Sequence, residues 1–383
     1  MERVSRWAVI VLMTLLLLQT GCEGKPDPAS EQQTFSGGET PEELYEKALN
    51  EDVLVVYTVS TRVVQTKEAF EAAYPGLSVE IRDLRSPNLI EAVIENEENG
   101  LGECDVVLCN DNSGDFKAKL VNTGFVVPYL PADIAPHMKA GMGGEIVSFL
   151  NEAELLFYNS AKYESCPVKN IWELTQDCYR GRIYMPNPLR SFSTYAFCAS
   201  SFAHEQELID AYRALNGTEP DIPEGSSAAA LFWTMLSENT VFTNSSDEVV
   251  EALDSGNADF GIAVSSKLRL NDVGYHLAPV YHLEPFCGCR ISFAVMLAKS
   301  ARNVNAAKLF VRFLLGETDG TGEGYKPFCT AGTWSAREDV PNGDSVSQEE
   351  IDLIVPDQDY LIAQKQNMEE FWSSLIKDAT WDQ

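Results

Sequence analysis

Three hydroxyls, Ser191, Ser193 and Thr194, stand directly ahead of an apolar run with helical patterning. Before them, Pro186 and Pro188 stop a short apolar run, 182–185, of strand character. A strand that ends in a loop and opens a helix leaves backbone N–H groups without intrahelical acceptors, and hydroxyls near the N-cap add donors and acceptors. Such a place suits an oxyanion. Every helix has an N-terminus, however, so the stretch 182–197 taken alone also reads as an ordinary capped turn. Its weight depends on what the rest of the chain sets beside it.

Other polar groups recur at the ends of apolar runs. Tyr57, Ser60, Thr61 and Arg62 close and follow the β-branched run 52–57. Asn110 and Asp111 follow the run 104–109, and Ser265, Ser266 and Lys267 follow 258–264. In open parallel sheets ligands bind beyond the carboxyl ends of strands. Hydroxyls at Ser60, Thr61, Ser193 and Thr194, with cations at Arg62, Arg190 and Lys267, suit a small oxyanion. Asn187 and Glu284 complete the candidate ligand-binding set. Acid–base chemistry would draw on Asp105, Asp111, Glu154 and His204, but no Gly-x-Ser-x-Gly elbow or His-Glu-x-x-His helix is present. The four histidines, His137, His204, His276 and His282, are scattered. Cys287-Gly288-Cys289 has no matching His/Cys pair at zinc-finger spacing, so the cysteines read as disulfides or buried thiols. The glycine-rich segment 316–324 lacks the Gly-Lys-Ser/Thr of a phosphate-cradling loop. No bound cofactor and no resident metal is expected.

The elements that must position these groups follow from periodicity. Strands at 52–57, 77–81 and 104–109 alternate with amphipathic helices at 63–74 and 88–99, the βαβαβ pattern of a parallel sheet. The segment 148–159 reads as a long strand pair that makes a first crossing between two lobes. A long helix is expected over 194–215, a return crossing near 277–283, a strand over 291–298 and a helix over 303–315. Helices over 347–355 and 359–376 follow, the second docking through Leu361, Met368, Phe371, Trp372 and Leu375. The expected division is 51–150 for the first part of lobe one and 151–280 for lobe two. Residues 281–340 then form the return crossing and the remainder of lobe one, and 341–383 the C-terminal helices.

The ends and the charge bound the setting. Residues 1–22 form a targeting segment: Arg3 and Arg6, an apolar run 7–18 too short to span a bilayer, then Thr20-Gly21-Cys22. This resembles a bacterial lipoprotein signal with Cys22 as the lipidated residue, although Gln19 stands where that pattern usually has an apolar residue. An ordinary secretory signal is the alternative, and either exports the chain. Residues 23–50 read as a flexible tether and a lead-in helix that begins at the capping pattern Thr40-Pro41-Glu42-Glu43. With 28 Lys and Arg against 58 Asp and Glu, the formal charge of -30 argues against nucleic acid and anionic lipid as partners. Contact with the membrane is expected through the lipid anchor alone, at the periplasmic or outer face of the cell.

An ordered series of phrases carries a family resemblance: DVLVVYTVST, AFEAAYPGLSVEI, CDVVLCND, ELLFYNSAKY, IWELTQDCYRGRIYMPNP, VVEALDSGNADFGIAV and ISFAVMLAKSARNVNAAKLFVRFLL, then Ala336-Arg337-Glu338-Asp339. Together, over residues 52–341, they resemble an extracellular solute-binding protein of an ABC transporter, of the class that includes the ferric-iron-binding proteins. The resemblance implies a periplasmic-binding-protein-like α/β fold of two lobes joined by two crossing strands, with the ligand in the cleft between them. It implies no catalysis, and a monomer that closes on its solute and docks on a membrane permease with its ATPase. Iron-binding members carry adjacent tyrosines after the strand that matches 258–264, where this chain has Ser265, Ser266 and Lys267. Tyr57, His282 and Glu284 remain as hard ligands for a ferric alternative. The class also includes binders of phosphorylated sugars and phosphonates, so a small polar, anionic organic solute is the expected ligand. A ligand-sensing surface protein and a secreted hydrolase are the rival readings.

Overall fold

The computed structural model describes residues 37–110, 113–317 and 322–376. It opens with helix α1 (Pro41–Ala48), which carries the expected reciprocal cap. Thr40 Oγ1 accepts from the Glu43 backbone N–H at 3.2 Å, and the Glu43 carboxylate accepts from the Thr40 N–H at 3.1 Å. Strands β1 (Leu54–Thr58), β2 (Val79–Asp83) and β3 (Val106–Cys109) follow, separated by α2 (Val63–Ala73) and α3 (Ser86–Glu98). β1 pairs in parallel with both β2 and β3. Its β-branched run is buried, as expected of a strand covered by helices.

The short β4 (Val126–Val127) leads to β5 (Ser148–Asn159), on which both halves of the sheet depend. Residues from Ser148 to Leu155 pair antiparallel with β10 (Gly288–Ala298), and Glu154 to Tyr158 pair antiparallel with β8 (Phe260–Val264). β8 continues in parallel to β6 (Ile183–Pro186), and β6 to β7 (Thr240–Thr243). β10 returns to pair antiparallel with β3. The sheet order is therefore β2-β1-β3-β10-β5-β8-β6-β7. The short strands β9 (Leu277–Pro279), β11 (Trp334–Ser335) and β12 (Leu353–Ile354) add to β5, β5 and β10.

Two apolar clusters lie along this sheet. One joins β1–β3 with α2, α3 and α8 (Val304–Leu315) through residues such as Phe70, Val93 and Phe310. The other joins β6 and β8 with α4 (Phe192–Ser201), α5 (Glu205–Asn216), α6 (Ala228–Ser237), α7 (Ser246–Asp254) and α9 (Gln358–Leu375). β5 contributes Leu150 to the first and Phe157 to the second; β10 contributes Val295 and Cys289. The result is the two-lobed α/β fold with two crossing strands.

Several local expectations change. β5 is one continuous strand of 12 residues, not a strand pair, because its polar residues Asn151, Glu152 and Glu154 are buried rather than turned outward. The return crossing is β10, not 277–283; Leu277–Pro279 stays beside the far end of β5. The helix expected over 194–215 breaks at residues 202–204 into α4 and α5. The break lets the Glu205 carboxylate accept the N–H groups of Ala228 and Ala229, which opens α6. The segment 347–355 is a short 3₁₀ turn followed by β12, because the backbone of Gly288 and Cys289 offers it a partner. Cys104, Cys166, Cys178, Cys198, Cys287, Cys289 and Cys329 are free thiols, and Cys104, Cys109, Cys198, Cys287 and Cys289 are buried. Of the expected docking stripe, Leu361, Met368 and Trp372 are buried, and Trp372 meets Trp233 edge-on at 5.6 Å between ring centroids. No helix among the described residues is long and apolar enough to cross a membrane.

Candidate functional site

The topology sends the C-terminal ends of β1, β2 and β3 toward the second lobe. They open on a cleft of about 1050 Å³, lined by Val59, by Asp83 to Asn88, and by Asn110. The opposite wall comes from Arg190, Ser191, Phe192 and Ser193 at the start of α4, and from Asn244, Ser245, Asp247 and Glu248 at the start of α7. The start of α3, Ser86 to Asn88, belongs to the first-lobe wall. Helix N-termini from both lobes thus face one cavity.

Each N-terminus is built differently. On α4, Ser191 Oγ accepts from the Thr194 N–H at 3.4 Å and from the Thr194 hydroxyl at 2.9 Å. That leaves the N–H groups of Phe192 and Ser193 without intrahelical acceptors. On α7, Ser245 Oγ accepts from the Glu248 N–H, and the Glu248 carboxylate accepts from the Asn244 N–H. α3 has Arg85 at its N-cap, with no side-chain cap. Exposed Arg85 and Arg190 add positive charge, against Asp83, Asp247 and Glu248. Asp247 is ion-paired with Lys267 at 2.5 Å. The cleft can therefore hold an anionic group at its helix ends and hydroxyl groups at its carboxylates.

Away from the cavity lining, β5 presents two carboxylates on one side. Glu152 and Glu154 are two residues apart, so their side chains share a face of the strand. Glu152 accepts from Arg62 Nη2 at 2.6 Å; Arg62 stands at the N-cap of α2 in the first lobe. Arg62 Nη1 is buried and has no hydrogen-bond partner among the described residues. The Arg62 guanidinium also lies 5.0 Å from the centroid of the Phe328 ring. Arg269, from the segment after β8, bonds the Ser266 carbonyl. Burial, and then the Arg62 charge, hold the Arg269 guanidinium below its ordinary value. Glu154 reaches the second lobe, where its Oε1 accepts from the Thr194 hydroxyl at 2.6 Å. Its Oε2 is buried without a partner among the described residues. Burial pushes the Glu154 carboxyl up to about 7; the Thr194 and Ser193 hydroxyls oppose the shift and Glu152 adds to it.

Of the residues singled out in the sequence, the cleft brings together Asn110, Ser191 and Ser193, with Arg190 beside them. Lys267 reaches it through Asp247, while Arg62 and Thr194 stand outside its lining and bond Glu152 and Glu154 of β5. Ser265 is a structural link: its hydroxyl donates to the Gly332 carbonyl at 2.5 Å and accepts from the Ala153 N–H at 2.8 Å. A Cβ at Gly332 would lie 2.0 Å from the Ser265 carbonyl oxygen, and its φ of +79° suits glycine. Ser266 is buried and gives its carbonyl to Arg269. Tyr57 is buried and its phenol oxygen accepts from Arg82 at 2.8 Å. Ser60 is buried and Thr61 exposed; neither lines the cavity. Asn187 is buried, with its Nδ2 unpartnered among the described residues. Glu284 is exposed beside Lys169 and Ile171, away from the cleft lining. Asp111 lies outside the described residues.

The acid–base candidates are not assembled. Asp105 accepts from the N–H groups of Val55, Arg302 and Asn303, and His204 pairs with Glu207 at 3.0 Å. Among the described residues, no group of three or more His, Cys, Asp or Glu side chains is placed to hold a metal ion. The start of α7 escaped notice in the sequence although it carried a signal, since Ser245-x-x-Glu248 is a capping-box spacing.

Two lobes on one sheet, joined by two crossing strands and opening on a polar cleft, define a binding protein of the type that closes around a solute. Residues 53–319 match the family model of bacterial extracellular solute-binding proteins, and the chain belongs to that family. Its members serve an ABC permease with a small-molecule ligand. No curated protein matches the chain. Among solved structures, it is similar to iron-bound HitA from Pseudomonas aeruginosa, with a TM-score of 0.64 and 17% identity over 85% of this chain and 99% of that one. It is also similar to AfuA from Actinobacillus pleuropneumoniae with fructose-6-phosphate bound, with a TM-score of 0.64 and 18% identity over 85% and 99%. The apo ferric ion-binding protein A of Pasteurella haemolytica gives 0.64 and 15% over 86% and 99%. At these identities the likeness is one of fold.

The raised Glu154 value carries a sign. Its folded-state value, about 7, lies above the ordinary 4.5, so its contribution to stability is present below pH 4.5 and is lost as pH rises through 7. The full swing is of the order of 3 kcal/mol. Glu154→Gln, which stays neutral, should be more stable than the parent above pH 7 by up to that amount. The difference should vanish below pH 4.5 in denaturant titrations. Parallel pH profiles for the two proteins would contradict the assignment.

Proposed function

We propose that the protein captures a small, polar, anionic organic solute, phosphorylated or phosphonate-like, in the cleft between its lobes and delivers it to an ABC permease. The observation that carries this reading is the convergence of the α3, α4 and α7 N-termini, with Arg85 and Arg190, on one cavity. Backbone N–H groups aligned at helix ends stabilise a compact oxyanion without requiring a net positive body. Asp83, Asp247 and Glu248 suit hydroxyl groups on the remainder of the solute. The hydroxyls of Ser191, Ser193 and Thr194 bond one another, and Thr194 also bonds the buried Glu154, a network that caps α4 and ties it to β5. The solute is bound and released chemically unchanged.

Ferric iron is the second reading, favoured by the likeness to iron-bound HitA. Against it, Lys267 brings a cation where the iron-binding members place phenolates, and Ser265 is bonded to Gly332. Burial raises the Tyr57 phenol, which disfavours the ionised form that a ferric ion requires. The targeting segment lies outside the described residues; our reading is that Cys22 is acylated and tethers the body to the membrane.

A thermal-shift panel on the tether-free body tests the solute class. Phosphorylated sugars or phosphonates should raise Tm by mass action, by a stabilisation of about 2.7 kcal/mol at a hundredfold excess over Kd. Ser193→Ala combined with Arg190→Ala should weaken that binding by about tenfold or more, as expected for loss of charge-assisted hydrogen bonds. A shift with ferric iron and none with the anions would overturn the reading. For the anchor, the full-length protein should enter the detergent phase of a Triton X-114 partition and Cys22→Ser should not; equal partitioning would remove the lipid from the account.

A further inference from the structure

Arg290 lies on the crossing strand β10, opposite Ala153 of β5. Strand alternation places it on the face away from Glu152 and Glu154, whose partners are Ile291 and Cys289. Its guanidinium forms no ion pair or hydrogen bond among the described residues, and its Nε is buried without a partner. That is unusual in a chain with 58 acidic residues, since a half-buried charge left uncompensated is unfavourable. The nearby lysines are already neutralised. Lys117 grips the Asp359 carboxylate at 2.8 and 2.9 Å, and Lys139 lies 3.8 Å from Glu349. Burial holds the Arg290 guanidinium below its ordinary value, against the opposing pull of Cys289 and Glu349.

The side chain borders a cavity of about 160 Å³. Ser148 from β5 contributes a hydroxyl, and Phe116, Met142 and Ile146 make apolar walls. A cavity of about 150 Å³ holds one benzene-sized molecule. We propose that this cavity is a second binding site, separate from the cleft, for a small amphipathic monocarboxylate. The carboxylate would take the two terminal nitrogens of Arg290 side by side, which are not buried as Nε is, in the fork geometry that guanidinium offers. The apolar body would lie against Phe116, Met142 and Ile146.

Benzoate is the probe, with benzamide as its uncharged match, titrated into the full chain by calorimetry. Benzoate should bind saturably and benzamide at least about tenfold more weakly, the difference expected for a paired charge-assisted contact. Arg290→Met should lose the same factor. Ile146→Trp fills the cavity with Arg290 intact and should block binding as well, which guards against misfolding of the first variant. Ser193→Ala, in the main cleft, should leave benzoate binding unchanged. The proposal fails if benzoate gives no saturable heat, if benzamide binds equally, or if both cavity variants bind as the parent does. It also fails if Ser193→Ala abolishes the benzoate signal, which would place the probe in the solute cleft. Because the probe differs from the solute in class and in place, either site can fail its test without the other.

Discussion

The antiparallel pairing of β5 with β10 is the interaction on which the rest of the structure depends. It is the only stretch of the described sheet that belongs to both apolar clusters, so each lobe is fixed in register to the other through these two strands. The same pairing sets which side chains can meet the lobes. Glu152 and Glu154 fall on one face of β5 and engage opposite lobes, Glu152 through Arg62 at the start of α2 and Glu154 through Thr194 at the start of α4. A rotation of one lobe on the other must act on these two buried carboxylate contacts. They are well suited to couple the geometry of the lobes to the crossing strands, because a buried polar group left without its hydrogen bond is unfavourable.

Electrostatics in this protein is local rather than global. A body carrying a formal charge of -30 still concentrates N–H dipoles and two arginines along one cleft. Several buried or half-buried acidic side chains elsewhere are matched by cations: Asp259 by Lys162 and Arg182, Asp115 by Lys119 and Lys365, Asp339 by Arg337. Net charge therefore bears on nucleic acid and lipid surfaces, while the donor set inside the cleft bears on the solute.

Much of the fold was legible in the sequence because its signals are local. The run 52–57, the helix over 63–74 and the Thr40 capping box depend on burial period and neighbouring residues, and each appears within a residue or two of its expected place. The break at 202–204 and strand β12 were not legible, since both are decided by distant partners: the N-terminus of α6 for Glu205, and the backbone of Gly288 for residue 353. The site divides along the same line. Ser191 and Ser193 are governed by local capping rules and do line the cleft. Ser265 looks identical in kind, yet its hydroxyl is bonded to Gly332, far along the chain. Glu154 stands out in the sequence only as an acid–base candidate and Glu152 not at all, because their burial depends on both lobes packing around β5.

The central claim is that the solute's anionic group is held by helix N-termini between the lobes. The most direct measurement is a crystal structure grown with a sugar phosphate. The account predicts the phosphate within hydrogen-bonding distance of the Phe192 and Ser193 N–H groups, with Arg190 or Arg85 beside it. A phosphate bound outside the cleft, or a metal ion held there by side chains with no phosphate at the α4 terminus, would contradict it.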